Sequence, residues 1–514
     1  MERTAKLVLA KNALANIVRG SAAALTAVLL PPFLTRLMSS DAFGAWCLVL
    51  QLSAYVGYLD FGIQTAVGRF VAHTNEQGDT DYRDRIVNTS LAVLSGVCVL
   101  TVVGAAIFAA ALPRLFRQVP GLFVSDIRMA LVLVASSLAI GLPASIFNGI
   151  FIGLQRNEVP AAIIGGSRIL SAALLVLVVK HGGDLTQMGV TVALVNILSY
   201  FIQYVMYRRL SPDIRLSPRL VSRRAARELF DYCWSLMIWS FAMLLVTGLD
   251  VTLVGYFQFK SVGYYAVAAS LVTFIAGVQN AVFNAMISPL AVLHARGASE
   301  ELGRIMVTAT RYGTLLLLLT GLPIIIFAKS VLTLWVGPSY AANGVLLLRI
   351  LVMANILRLS ATPYVVTLIG AGQQRLVTVT PLLEGFSNLF VSFAAGYVLG
   401  ALGVALGTLF GSIVGVAGNF LYNMKRTTSL RFRTSDYIWN GLLRPCVCAV
   451  PSVVFAVVIR FYPEPAPLIA PLAVLALVMT LACLWFYGLS GMERDKLKSG
   501  EVFASVVRGL NARW

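Results

Sequence analysis

Apolar runs near 20 residues recur along this chain from end to end, each long enough to cross roughly 30 Å of hydrocarbon as a helix. Short polar breaks separate them. The pattern predicts fourteen membrane helices, at 12–34, 42–64, 86–112, 126–152, 160–179, 186–207, 231–255, 262–293, 305–327, 343–370, 376–398, 402–424, 444–461 and 467–489. The eighth and tenth are long enough to be broken or to run past the bilayer. Tyr462-Pro463-Glu464-Pro465-Ala466-Pro467 reads as a tight turn between the last two, because proline ends helices and favours turns. No polar stretch is long enough for a soluble domain. The expected fold class is an all-α polytopic membrane protein.

Charge adds a direction. With the N-terminus inside, the inner segments hold 27 Lys and Arg and the outer ones 7. The richest inner loop runs from Arg208 to Arg227. Lys and Arg collect on cytoplasmic loops, so both termini are expected there. Met1 to Lys11 is basic and precedes an apolar run. Arg19 interrupts that run and no small-x-small site closes it, so it reads as a permanent first helix rather than a signal peptide. In the tail, Phe503, Val506, Val507, Leu510 and Trp514 share a helical face. That face either lies on the inner membrane surface or belongs to a solvated tail.

An internal repeat is visible. Phe43-Gly44 and Val262-Gly263 match at a shift of 219, and so do Gly153-Leu154-Gln155-Arg156 and Gly372-Gln373-Gln374-Arg375. The shift spans six helices, so the halves share one orientation and meet about an axis along the membrane normal. The expected organisation is a six-helix lobe at 1–210, a basic cytoplasmic linker at 211–230 and a second six-helix lobe at 231–426. Helices 13 and 14 at 427–489 and a cytoplasmic tail at 490–514 follow.

Composition excludes several classes. The 514 residues are 58% hydrophobic and 12% charged, with mean hydropathy +0.83. The net charge of +18 reads as topology, not as a nucleic-acid footprint. The six Cys lack zinc-type spacing and read as small packing residues. The three His fall near loops without metal-ligand spacing. No Walker-type loop and no catalytic constellation is present. The chain is therefore expected to be no enzyme, with no catalytic residue, resident metal or cofactor. Its work would come from a gradient, with H+ or Na+ as the possible coupling ion.

The candidate chemistry lies in charges within apolar runs, which usually face a partner or a wet cavity. Arg19, Arg168 and Arg358 sit well inside their helices, and Glu384 lies at similar depth as a partner for Arg168 or Arg358. Asp60 is expected one turn from the cytoplasmic end of its helix and Asp250 near the outer end of its own. Arg311 and Arg349 lie nearer helix ends, where long side chains reach the interface. Gln279, Asn280 and Asn284 form a polar stretch suited either to joining helices or to touching a glycan.

At Leu59-Asp60-Phe61-Gly62-Ile63 the chain resembles polysaccharide-export flippases of the multidrug/oligosaccharidyl-lipid/polysaccharide exporter superfamily. Phe43-Gly44-x-Trp46, Gly153-Leu154-Gln155-Arg156 and Trp335-Val336-Gly337-Pro338-Ser339-Tyr340 carry the same resemblance over the whole chain. It implies two pseudo-symmetric lobes around a central cavity lined largely by helices 1, 2, 7 and 8. It also implies transfer of an undecaprenyl-pyrophosphate-linked oligosaccharide across a bacterial inner membrane for O-antigen, capsule or exopolysaccharide synthesis. Carried onto this chain, the cavity residues are Arg19, Asp60, Asp250, Asn280 and Asn284. Arg168, Arg358 and Glu384 are weaker substrate candidates, with pairing to Glu384 as their alternative. The dense cavity arginines of lipid II flippases are not matched. The partners implied are the lipid-linked glycan, membrane lipids and polysaccharide polymerase machinery, for a monomer that binds no nucleic acid. A multidrug-type antiporter on the same scaffold, and a membrane glycan polymerase, are the competing readings.

Overall fold

The computed structural model describes residues 25–489 except 285, 374–375, 429 and 462–465, together with 494–495. Arg19 and most of the tail lie outside the described residues, as does most of the proline-rich turn. Backbone groups in hydrocarbon must be satisfied within the protein, and helices do this segment by segment. The described helices are α1 (Leu25–Leu37), α2 (Ser40–Gln77), α3 (Thr80–Leu115), α4 (Gly121–Gly153), α5 (Glu158–Lys180), α6 (Leu185–Leu210) and α7 (Arg223–Gly248, running on as Asp250–Phe257). They continue with α8 (Phe259–Ala295), α9 (Ser299–Ile326), α10 (Pro338–Gly370), α11 (Leu376–Leu399), α12 (Ala401–Arg426), α13 (Thr434–Ile459) and α14 (Ala466–Cys483). Side chains such as Leu100, Phe390 and Tyr397 are largely exposed, as a lipid-facing surface requires.

Two helices break where expected. α8 is split into Val262–Asn284 and Ile287–Ala295, and α10 into Pro338–Ser360 and Thr362–Gly370. Pro363, in the first turn of the second piece of α10, explains that break, because it cannot donate a helical hydrogen bond. α2 corrects the sequence reading, which ended it at residue 64. Phe61 (φ 52°) and Gly62 (φ 78°) take left-handed backbone, and the helix then resumes to Gln77. The second piece carries Arg69, His73 and Glu76 on its polar face, so its sequence looks like a loop.

The helices of residues 40–210 pack mainly on one another around α4, and those of 223–426 mainly around α10 and α12. α13 packs on α14 and on α9. The repeat is present in the backbone. Gly78 and Gly297 both have φ 72° and make the same pattern of turn hydrogen bonds at a shift of 219. Gly44 and Gly263 meet at the contact between the halves: a Cβ on Gly44 would lie 3.2 Å from the Gly263 nitrogen and 3.5 Å from Val262 Cβ. A Cβ on Gly263 would in turn lie 3.3 Å from Phe43. Equivalent residues touching each other is what a two-fold relation demands at its axis. The second pairing is corrected by two residues. Gly153 packs on the Gly68 carbonyl and Gly370, not Gly372, packs on the equivalent Ile287 carbonyl.

The basic linker is stitched to α3 rather than loose. Buried Arg83 pairs with Asp84 (3.3 Å) and with Asp213 of the linker (2.7 Å). Asn88 donates to the Arg215 carbonyl (2.7 Å) and accepts from Ser217 N (2.8 Å). These bonds tie the start of the second half to the first.

Candidate functional site

A ladder of glycines builds the polar centre of the second half. Gly403, Gly407, Gly411 and Gly415 recur every four residues on α12, so they form one face. They receive Ala395, Ser392, Asn388 and Glu384 of α11 in turn. At Gly403, Gly407 and Gly415 any Cβ would overlap α11 atoms. Small residues let helix backbones approach closely in lipid. Here the approach tucks the polar stripe Glu384, Asn388 and Ser392 against α12. Arg358 of α10 reaches Glu384 at 3.8 Å, so the partner of Glu384 is Arg358.

Asp250 joins this stripe. It is 8% exposed and accepts from Thr408 Oγ1 (3.1 Å), Tyr265 Oη (3.2 Å) and Asn388 Nδ2 (3.4 Å). Ser392 holds Asn388 by donating to its Oδ1 (2.9 Å). The sequence placed Asp250 on the cavity wall; the structure puts it inside the second bundle. A π turn at Leu244–Gly248 just before it explains the position. The wider turn frees backbone carbonyls, a recurrent feature of functional sites. Val246 O accepts from Asn388 (3.1 Å). Gly248 O accepts from Gln51 (2.6 Å) and Tyr55 (2.8 Å) of α2, and Tyr55 Oη also bonds Thr252. One distorted turn thus links the Asp250 cluster to the grip between the halves. Asp250, Asn388, Ser392, Thr408 and the Val404 carbonyl form an oxygen-rich set. Among the described residues, no group of three or more His, Cys, Asp or Glu is placed to hold a metal ion.

Arg168 lies apart from this cluster. It sits at the midpoint of α5 and lines a cavity of about 500 Å³ together with Leu30, Trp46, Val192, Ala266 and Ser270. Those residues come from α1, α2, α6 and α8, so the cavity lies where the halves meet. Its wall is mainly apolar, and Arg168 is the charged group in it. Asn280 and Asn284 are exposed on α8, one turn apart. Neighbouring Gln279 is buried and donates to the Leu359 carbonyl (2.8 Å), joining α8 to α10. Arg349 donates to the Ile325 carbonyl (3.0 Å) at the end of α9.

Asp60 stands at the break in α2, at the end of its first piece rather than near the end of the whole helix. Its carboxylate accepts from Gln64 N (3.3 Å) and Ser145 Oγ (3.3 Å). Four N–H groups at a helix start lack internal partners, and an Asp side chain supplies one. Asp60→Ala is expected to lower stability by about 1 kcal/mol, the usual worth of such a cap. A thermal midpoint equal to wild type in detergent would exclude a capping role.

The motifs behind the family resemblance prove to be backbone devices. Leu59–Ile63 forms the α2 break. Gln155 takes left-handed backbone (φ 59°) at the end of α4. Trp335 Nε1 donates to the Val28 carbonyl (2.9 Å), and Tyr340 meets Phe43 with ring centroids 6.0 Å apart. These contacts close the halves at the Gly337 end. At the opposite end Arg69 lies over the Tyr232 ring (4.7 Å) and Tyr82 donates to Glu228.

The model of the family described as "Polysaccharide biosynthesis protein" matches residues 9–291. The uncharacterized membrane protein EpsK of Bacillus subtilis (strain 168) is 22% identical over 453 residues, covering 85% of this chain and 87% of its own. The solved structure of lipid II flippase MurJ in an inward closed conformation matches with TM-score 0.72 at 11% identity, over 97% of this chain and 99% of that one. An inward-facing multidrug resistance transporter of the MATE family, MOP superfamily, matches with TM-score 0.58 at 17% identity, over 81% and 94%. At these identities the structural matches speak to the fold.

Proposed function

The chain belongs to the polysaccharide biosynthesis protein family, and from that premise we propose that it flips an undecaprenyl-pyrophosphate-linked oligosaccharide from the cytoplasmic to the outer leaflet of a bacterial inner membrane. Both termini are cytoplasmic in this reading. The observation that carries it is Arg168 at mid-membrane depth in the cavity between the halves. A cation there stabilises a pyrophosphate that has left water, where few other groups can. The apolar wall leaves the polyprenyl chain in contact with lipid or protein. The halves rock about the Gly44–Gly263 contact, so that the cavity opens to one side at a time. No step needs ATP. The test is export: deleting the gene should remove surface glycan, and the purified chain should flip a fluorescent pyrophosphate-linked glycan in proteoliposomes. Intact surface glycan together with new drug sensitivity would instead support a multidrug antiporter, the reading that the MATE-like fold keeps open.

Asp250, Asn388 and Thr408 are the residues that would hold a coupling H+ or Na+. Asp250 and Glu384 supply two carboxyl groups against the single positive charge of Arg358, so the centre can take up one proton or cation. Oxygen donors of this kind suit a hard cation. Change at Asp250 reaches the grip of Gln51 and Tyr55 through the π turn two residues earlier. Asp250→Asn keeps the shape and removes the charge. It is expected to abolish the response of transport to an imposed Na+ or pH gradient, with the protein still folded. The same gradient response in the variant would rule out this ion site.

A further inference from the structure

Five arginines converge on a cavity that this transport route does not use. It lies at the Glu228 end of the molecule, between α9 and the segment that leads into α13, and has a volume of about 900 Å³. Arg304 and Arg311 of α9 line it with Arg431, Arg433 and Arg444, against two carboxylates, Glu300 and Asp436. Arg311 is 6% exposed, so the sequence expectation of an interface anchor is corrected: it sits in the cavity wall. Among the described residues no ion pair engages Arg304, Arg431 or Arg433.

The cavity is built rather than incidental. Gly303 lets the chain at Arg431 lie directly on α9, where any Cβ would overlap the Arg431 carbonyl. Arg431 N donates to the Ser299 carbonyl (3.2 Å). Phe432 packs on Tyr364 and Tyr437, and Leu430 is buried beside them. The segment is therefore pinned with Arg431 and Arg433 held outward. Arg444 donates to the Tyr487 carbonyl and lies over its ring at 5.2 Å, which ties α14 into the same corner.

One helical turn further into the membrane the same helices change character. Leu315 follows Arg311 by four residues and Cys448 follows Arg444 by four. Both line a second, almost wholly apolar groove that also holds Leu319, Phe327, Phe455 and Leu477. From residue 315 to 327 the groove rises about 18 Å at 1.5 Å per residue. That is close to one leaflet's share of a ~30 Å hydrocarbon core. A cationic chamber thus lies one helical turn from an apolar slot about as deep as one leaflet.

We propose that this site holds an anionic phospholipid, with its phosphate headgroup among the arginines and an acyl chain in the groove. Arginine forks match phosphate oxygens in geometry and charge. Basic pockets between membrane helices on the cytoplasmic side bind such headgroups. The slot favours a lipid over free phosphate, and its single-leaflet depth fits an acyl chain. The lipid is bound and not transported, and it braces α13 and α14 against α9. The inference rests on this geometry and stands whether or not a lipid-linked glycan is the cargo.

The experiment is native mass spectrometry of the full chain in detergent, titrated with phosphatidylglycerol, phosphatidylcholine or inorganic phosphate. The variants are Arg431→Gln/Arg433→Gln, both exposed in the structure, and Leu319→Trp, which fills the groove from a half-exposed position. Both should keep the wild-type thermal midpoint without added lipid. The double variant is expected to bind phosphatidylglycerol at least about tenfold more weakly, with phosphatidylcholine unchanged. Leu319→Trp should weaken phosphatidylglycerol as well. Undiminished phosphatidylglycerol binding in the double variant overturns the proposal. So does a site where inorganic phosphate competes fully and Leu319→Trp has no effect, since that describes a phosphate site without a lipid.

Discussion

Replacing Arg168 by alanine is expected to lower glycan export by about thirtyfold or more while the protein still inserts and folds. Arg168 is exposed to the cavity, so its removal leaves no hole in a packed core. A charged group met in a desolvated site is worth about 2–5 kcal/mol, and 2 kcal/mol is already a factor near 30. Arg168→Lys keeps the charge and loses the planar fork, so it should recover part of the export. Arg19→Ala should act in the same direction if both cations meet the pyrophosphate in turn. The measurement is surface glycan in a deletion strain complemented with each variant at matched membrane abundance. Wild-type export by Arg168→Ala would remove Arg168 from the transport route and leave its charge without an assigned role.

Replacing Gly403 by valine is expected to leave little folded protein in the membrane. A Cβ at this position overlaps the Ala395 carbonyl, which is backbone and cannot swing aside. α11 and α12 would have to separate, and with them the contacts of Gly407 on Ser392 and Gly411 on Asn388. Overpacking costs about 1–3 kcal/mol where a side chain can yield, and more where backbone must move. The Asp250 cluster would be lost in the same event, because Asn388 and Thr408 lie on the two helices that part. Gly57→Val, where nothing lies within 4 Å of the new Cβ, is the control and should be mild. Equal abundance and melting of Gly403→Val and wild type would show that the close α11–α12 packing is not needed for the fold.

Particular residues show how far the sequence could be read. The apolar runs marked nearly every membrane helix, because lipid demands both length and apolarity and leaves few alternatives. The length of α10 allowed a break, and Pro363 sets where it falls, although Pro143 and Pro323 stand inside helices that run on unbroken. α2 was cut short because Gly62 ends the apolar run and the continuation is half polar. The glycine spacing on α12 is legible in the sequence, since a four-residue glycine repeat in an apolar run is a direct sign of close helix packing. Asn388, Ser392, Thr408 and Tyr265 had no such sign. Single polar residues are common in membrane helices, and only their convergence on Asp250 gives them meaning.

The sequence by itself determined that this chain crosses a membrane many times and has an internal repeat. It also placed unusual charges at mid-depth in its helices. Each of these follows from a local cost: burying a backbone group or a charge in hydrocarbon is expensive wherever it occurs, so the pattern shows along the chain. Only the tertiary structure decided which charges meet. Arg358 pairs with Glu384, Arg168 faces the cavity, and Asp250 turns inward to Asn388 and Thr408. The contacts of Asp250 join residues more than a hundred positions apart in the chain and depend on how tightly α11 and α12 can close over a row of glycines. The arginine cavity is of the same kind, since its five cations become one site only when α9, the segment before α13 and α13 itself are brought together.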